Sequence, residues 1–166
     1  MSGTFVGLAL TLLAAASGVA GRPISLDGIG AIRVGATVAA AARAAGEPLV
    51  NPASTHAGDG CHYVRLASAP SILFMVEKGR IVRVETRDKA FRTVSGARVG
   101  DTEEKVRALY GKRLEVMRHK YDENGRYFIV RSADRRRALV LETDGRAVVF
   151  IRAGLLPAAE YVEGCL

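Results

Sequence analysis

Two similar segments, one in each half of the chain, limit the possible folds most. Residues 33–46 read RVGATVAAAARAAG and residues 98–111 read RVGDTEEKVRALYG, so that Arg, Val, Gly, Thr and the closing Gly coincide. Thr37 and Thr102 stand where helix N-caps are expected, and each closing glycine stands where a left-handed C-terminal residue is expected. Each enclosed helix has about eight residues, fewer than the ~12 that an isolated helix needs in water. Both helices must therefore pack on another element.

Three apolar segments follow each predicted helix and predict β-strands. They read CHYVRLA, SILFMVE and RIVRVET in the first half, and RYFIVRS, RRALVLE and RAVVFIR in the second. Turn residues separate them, with Gly79-Arg80 and Gly145-Arg146 at equivalent positions and an Asn-Gly pair at residues 124–125. The predicted fold class is α+β, as two tandem repeats. Each repeat is a short helix followed by an antiparallel β-meander, with the helices packed on one face of the sheet.

The N-terminal segment predicts an exported protein. Residues 1–20 carry no charged side chain, residues 5–16 form an apolar run, and small residues at 18 and 20 suit cleavage after Ala20. The run is too short and too rich in Ala and Gly for a membrane-spanning helix, so we expect no transmembrane segment after cleavage. The predicted division of the chain is a signal peptide (1–20), repeat 1 (21–94), repeat 2 (95–152) and a C-terminal tail (153–166).

An exported chain changes the interpretation of its two cysteines. In an oxidising compartment, periplasmic or extracellular, Cys61 and Cys165 predict one disulfide that attaches the tail to repeat 1. The segments SILFMV, ALVL and AVVFI are apolar on both faces, whereas RLEVMRHKY and RIVRVET alternate as outer strands do. We expect the second face of the inner strands to be covered by the tail or by a partner.

The twofold pattern R-V-G-x-T, a short helix closing at glycine and then a meander, resembles the tandem-repeat fold of the beta-lactamase-inhibitor protein and its relatives. Single-copy versions resemble the small lipoprotein subunit of the outer-membrane assembly machinery. The resemblance covers residues 28–152. It implies a non-enzymatic exported domain that binds another macromolecule with its sheet.

Patterns for catalysis and for cofactors are absent from the sequence. It has no G-x-S-x-G, no H-E-x-x-H and no phosphate-binding glycine loop, so we expect no enzyme and no cofactor. His56, Asp59, Cys61 and His62 are metal-ligand types, but a glycine-rich loop leading to a disulfide explains them, and we expect no metal. The net charge of +7 reflects either an arginine-rich composition or an acidic partner surface. Nucleic acid is not expected, because no aromatic residues interleave with the cations.

The segment VMRHKYDENGRYFIVR predicts the hairpin that supplies the candidate site. A two-residue or four-residue turn at Asn124-Gly125 places alternate side chains on opposite faces. One set is Met117, His119, Tyr121, Phe128 and Val130; the other is Arg118, Lys120, Tyr127, Ile129 and Arg131. The first set is more apolar, so we expect it in the helix-covered core, with His119 buried and hydrogen-bonded.

The second set supplies the candidate binding residues, which are Arg118, Lys120, Tyr127 and Arg131. Cations beside a tyrosine suit an open face that meets an acidic surface, and an ordinary solvated face is the alternative. We expect a monomeric, protein-binding or inhibitor-like module that acts on an envelope or extracellular protein. The alternative function is an envelope component that binds anionic glycolipid or cell-wall polymer through arginines. The basic segment SADRRR, residues 132–137, is expected to be a solvated hairpin tip.

Overall fold

A computed structural model describes residues 18–52 and 60–165. Over these residues the chain forms two α-helices, a three-stranded antiparallel sheet and an eight-stranded antiparallel sheet. This confirms the α+β class. Within the described ranges, no helix is long and apolar enough to cross a membrane.

The elements agree closely with the predicted apolar segments. The helices are α1 (Val38–Ala45) and α2 (Glu103–Tyr110), with short 3-10 helices η1 (Gly111–Arg113) and η2 (Ala158–Glu160). The strands are β1 (Ile24–Ser25), β2 (Gly28–Ile29), β3 (Ile32–Arg33), β4 (Leu49–Val50), β5 (Cys61–Leu66), β6 (Ala69–Glu77), β7 (Arg80–Thr86), β8 (Leu114–Arg118), β9 (Arg126–Arg131), β10 (Arg137–Thr143) and β11 (Val148–Leu155).

Both helices begin at the predicted threonines. The hydroxyls of Thr37 and Thr102 each accept a hydrogen bond from the amide three residues further on, at 3.2 and 3.3 Å. Gly46 ends α1 in the left-handed conformation, with φ 77° and ψ 9°. Gly111 also has a positive φ, 53°, but its ψ of −131° is not helical because the chain continues into η1.

The eight-stranded sheet has the order β4-β5-β6-β7-β11-β10-β9-β8. Two meanders therefore meet through their last strands, β7 and β11, while the duplication itself stays a prediction. The prediction that RIVRVET is an outer strand is wrong, because β7 lies in the middle of the sheet. Gly154 of β11 pairs with Arg83 of β7. A Cβ on Gly154 would overlap the carbonyl oxygen of Val82, so the junction requires a glycine.

One face of the sheet carries the main core. Ala41 of α1 and Val106 of α2 belong to the same buried cluster as the sheet residues Phe74 and Phe128. Of the predicted signal peptide, residues 1–17 lie outside the described residues, and cleavage stays a prediction. Val19 is fully buried in this core.

The first residues of the predicted tail, 153–155, belong to β11. The rest of it that the structure describes, residues 156–165, is called the tail from here on, and it covers the middle of the other face. Ala159 packs with Tyr127, Ile129 and Val140 on one side. Ala158 packs with the apolar residues of β6 and β7 on the other. The predicted disulfide is confirmed, since Cys165 is bonded to Cys61 at the start of β5. Tail cover therefore explains why the inner strands are apolar on both faces.

Candidate functional site

The hairpin that carries the candidate site has a different register from the predicted one. Met117 pairs with Tyr127 and Arg118 pairs with Arg126, which leaves seven residues, 119–125, in the connection. The predicted turn had an even number of residues. With an odd number, the side chains of β8 lie on the opposite face relative to those of β9. The predicted sets are therefore wrong: Met117 shares a face with Tyr127, and Arg118 does not.

Side-chain hydrogen bonds to the backbone explain the longer connection. Nδ1 of His119 accepts from the amides of Tyr121 and Asp122, at 3.1 and 3.0 Å. An Asp122 carboxylate oxygen accepts from the amide of Asn124 at 2.9 Å. Such local bonds compete with a tight turn at the Asn-Gly pair. Because of these bonds, strand pairing ends at Arg118 and the loop begins directly after it.

His119 lies on the tail side rather than in the helix-covered core where the sequence placed it. Its ring centroid is 4.6 Å from that of Tyr127, and Nε2 is 3.4 Å from a carboxylate oxygen of Glu142. The side chain is 11% exposed. The predicted hydrogen-bonding role is therefore present, but on the opposite face.

A groove of about 420 Å³ opens on the tail side at the β8 edge of the sheet. We call it the Met117 groove, and it is lined by Met117, Arg118, Lys120, Tyr127, Ile129, Val140, Arg152, Glu160 and Val162. Apolar side chains from three strands form its floor. Met117 is 53% exposed, which is high for a large apolar side chain.

Three of the four predicted binding residues, Arg118, Lys120 and Tyr127, line the Met117 groove. Arg118 is exposed, and no ion pair or side-chain hydrogen bond engages it within the described residues. Arg131 lies outside the groove lining and forms ion pairs with Glu115 at 3.1 Å and Glu160 at 2.5 Å. The structure thus brings three of the residues together and assigns the fourth to a structural contact with the tail.

Lys120 also binds the tail. Its ammonium lies 2.7 Å from a carboxylate oxygen of Glu163, which also accepts from the Tyr121 hydroxyl. The hydrogen bond from Lys120, followed by the one from Tyr121, lowers the pKa of Glu163 to about 2. The same hydrogen bond raises the pKa of Lys120. Lys120 therefore stays charged at the rim of the groove.

Sequence reasoning missed a cluster of buried charges beneath the tail. Nε of Arg83 donates to Glu85 at 2.6 Å, and Nη1 donates to the carbonyl oxygens of Ala158 and Tyr161 at 3.0 and 2.9 Å. Nη1 of Arg152 also donates to the Tyr161 carbonyl, at 2.9 Å. Burial raises the pKa of Glu85 against the opposing effect of Arg83, and burial lowers the pKa of Arg152. The sequence signal for this cluster was the pair Arg83 and Glu85, two charged residues that alternate with valines in one strand.

A second groove, of about 640 Å³, lies on the other side of the tail. We call it the Phe150 groove, and its lining includes Tyr63, Arg65, Leu73, Arg83, Glu85, Arg87, Asp88, Phe150 and Val162. The Arg87 guanidinium stacks 4.0 Å above the Phe150 ring. Val162 lines both grooves, so the tail alone separates them at this point.

The predicted metal-ligand types do not form a cluster in the part of the chain that the structure describes. Within residues 18–52 and 60–165, no three His, Cys, Asp or Glu side chains come together as a metal site. The predicted ligand types His56 and Asp59 lie outside these ranges, and Cys61 is in the disulfide. The hairpin tip at residues 132–137 is solvated, with Asp134, Arg135 and Arg136 exposed.

Among known proteins, no family model and no curated protein matches this chain. The crystal structure of the uncharacterized protein YfeY from Escherichia coli aligns with a TM-score of 0.44 and 13% sequence identity. The alignment covers 80% of this chain and 99% of that one. The resemblance to the beta-lactamase-inhibitor family stays a prediction.

Proposed function

We propose that this protein is a non-enzymatic binding module that acts outside the cytoplasm and holds a partner protein on the sheet face opposite the helices. The observation that carries the proposal is the Met117 groove. Its apolar floor is open at Met117, and Lys120 stands at its rim. Arg118 contributes to the lining from the end of the edge strand β8, although its register position faces the other side of the sheet. Protein interfaces combine such an apolar centre with a polar rim, and methionine is enriched in them because it adapts its shape.

The charge of the rim favours a partner with an acidic surface. Arg118 has no carboxylate partner within the described residues, so its charge is available to a partner. The net charge of +7 adds a long-range attraction that speeds association with an acidic surface. The disulfide supports action in an oxidising compartment, since such bonds are rare in the cytosol.

Charge reversal of the one unpaired rim cation tests this proposal. Purified Arg118→Glu protein and wild type are used to capture proteins from an envelope extract of the source cell. Arg33→Glu is the matched control, because Arg33 is also an exposed strand arginine but lies in the three-stranded sheet. We expect an unchanged melting temperature in both variants and loss of the captured protein only with Arg118→Glu. Equal capture by all three proteins would show that the partner does not bind at the Met117 groove.

A salt series separates a protein partner from an anionic glycolipid or cell-wall polymer. Binding that depends on apolar contacts in the groove survives an increase from low to high ionic strength, whereas polymer binding through arginines weakens steeply. Isolated glycolipid and polymer, added as competitors, identify the second outcome directly. Competition by either would replace the protein partner with the alternative that the sequence left open.

A further inference from the structure

The tail is attached to the sheet in a way that lets it leave without breaking a strand pair. The Leu156 amide donates to the Arg136 carbonyl at 2.9 Å. Beyond that bond, no backbone–backbone hydrogen bond joins the tail to the rest of the described chain. Side chains of the sheet and the Cys61–Cys165 disulfide hold the remainder.

The sheet recognises the main chain of the tail as well as its side chains. Arg83 and Arg152 donate to the carbonyl oxygens of residues 158 and 161, which any peptide supplies. The side chains facing the sheet there are small, as at Ala158 and Ala159. Another segment of similar size can make the same contacts.

Two further observations indicate a ligand other than the tail. Nε of Arg152 is buried and has no hydrogen-bond partner within the described residues, so one donor stays unused while the tail is bound. The two grooves flank the tail and share Val162, so departure of the tail joins them into one cleft.

We propose that the tail is a tethered occupant of a peptide-binding cleft, and that an extended segment of the partner protein replaces it when the Cys61–Cys165 disulfide is reduced. The proposal rests on the proposed function, because it names the part of the partner that this face binds. The tail indicates the chemistry of that segment. It carries small apolar residues and two carboxylates, Glu160 and Glu163, which pair with Arg131 and Lys120.

The reductant is a protein dithiol. One of its thiolates attacks a sulfur of the disulfide, the S–S bond breaks, and a mixed disulfide forms. The second thiolate then displaces the remaining cysteine. The dithiol becomes a disulfide and loses two electrons and two protons, and both Cys61 and Cys165 become thiols. Both cysteines are partly exposed, which allows the attack.

Hydrogen–deuterium exchange of the full-length protein tests release of the tail. On addition of a dithiol we expect amide exchange at residues 158–164 to rise by about tenfold or more, with β9 and β10 still protected. Cys165→Ser should show the fast exchange with or without the dithiol. Unchanged protection of the tail in the reduced protein would overturn the proposal and leave the disulfide as a structural link only.

Peptide binding tests the cleft itself. The probe is a fluorescein-labelled peptide of residues 156–164, followed by anisotropy. We expect saturable binding to full-length Cys165→Ser that is about tenfold tighter than to the oxidised wild type, although the attached tail competes. A peptide with Asp in place of both alanines is the control and should not bind. Equal binding to the oxidised and variant proteins, or equal binding of both peptides, would contradict the proposal.

The two proposals fail in different ways. Suppose that Arg118→Glu leaves partner capture intact, while the reduced tail still exchanges fast and the peptide still binds. Partner binding at the Met117 groove is then contradicted, and the peptide-binding cleft is supported. If capture is lost while the tail stays protected after reduction, partner binding at the Met117 groove is supported and replacement of the tail is contradicted.

Discussion

At the scale of single residues, Glu163 connects the tail to the rim of the Met117 groove. Its carboxylate binds Lys120 and Tyr121, and all three side chains are exposed or nearly so. Exposed ion pairs contribute little to stability because water and salt screen them. The contact therefore matters more for the placement of Lys120 and the tail than for the free energy of unfolding, to which it adds little.

Removal of one partner should change the titration of Glu163. In Lys120→Met we expect its pKa to rise from about 2 toward the ordinary value of 4.5. The pKa is depressed in the folded state, so the stabilising effect of the contact is present above about pH 4.5 and is lost as the pH falls toward 2. Carboxyl carbon shifts in an NMR titration measure this directly.

The matched control for this titration is Lys105→Met, because Lys105 also forms a 2.7 Å ion pair, with Asp101 on the opposite face. The pKa of Glu163 should not change in that variant. An unaltered Glu163 titration in Lys120→Met would show that the pairing with Lys120 is absent in solution.

At the scale of elements, the junction of β7 and β11 joins the two meanders. Gly154 pairs there with Arg83, and no side chain fits between the strands. We expect Gly154→Ala to lower the free energy of unfolding by about 2 kcal/mol or more, as overpacking against backbone does. Urea denaturation gives the value.

Gly35→Ala is the comparison for the junction. Gly35 has φ 88° but open space where a Cβ would lie, so only the backbone conformation opposes the change. Its cost should be near 1 kcal/mol. A Gly154→Ala protein that is as stable as Gly35→Ala would contradict the close approach of the strands.

The same elements show what the sequence could predict. The helices and the inner strands carry strong local signals, namely N-capping threonines and apolar runs, and these elements lie where expected. The tight turn at Asn124-Gly125 and the left-handed helix end at Gly111 were not found. The central position of β7 was missed because Arg83 and Glu85 look solvated in sequence. Their burial depends on carbonyl oxygens that lie 75 residues or more further along the chain, which no local pattern reveals.

The candidate site was partly predictable for a similar reason. Arg118, Lys120 and Tyr127 were identified by their charge and aromatic character, and they do line one groove. The face assignment failed because His119 and Asp122 bind nearby amides and extend the loop. One residue more or less in a connection moves every side chain of a strand to the other face of the sheet. A small error in the loop length therefore changed the face assigned to the whole set of candidate residues.

At the scale of the whole molecule, the two faces of the sheet have different roles. One face packs on the main core that includes both helices. The other holds a buried charge cluster, a tail fixed by a disulfide and two grooves. This asymmetry supports our proposal that a partner protein binds on the tail side alone.

Site-specific photo-crosslinking in the source cell tests whether the partner binds on the tail side. Benzoylphenylalanine is placed at Met117 in the groove or, as the control, at Ala39, which is exposed on α1. We expect one adduct of defined mass from position 117, lost when Arg118→Glu is added, and no such adduct from position 39. The same adduct from both positions, or from position 39 alone, would contradict partner binding on the tail side.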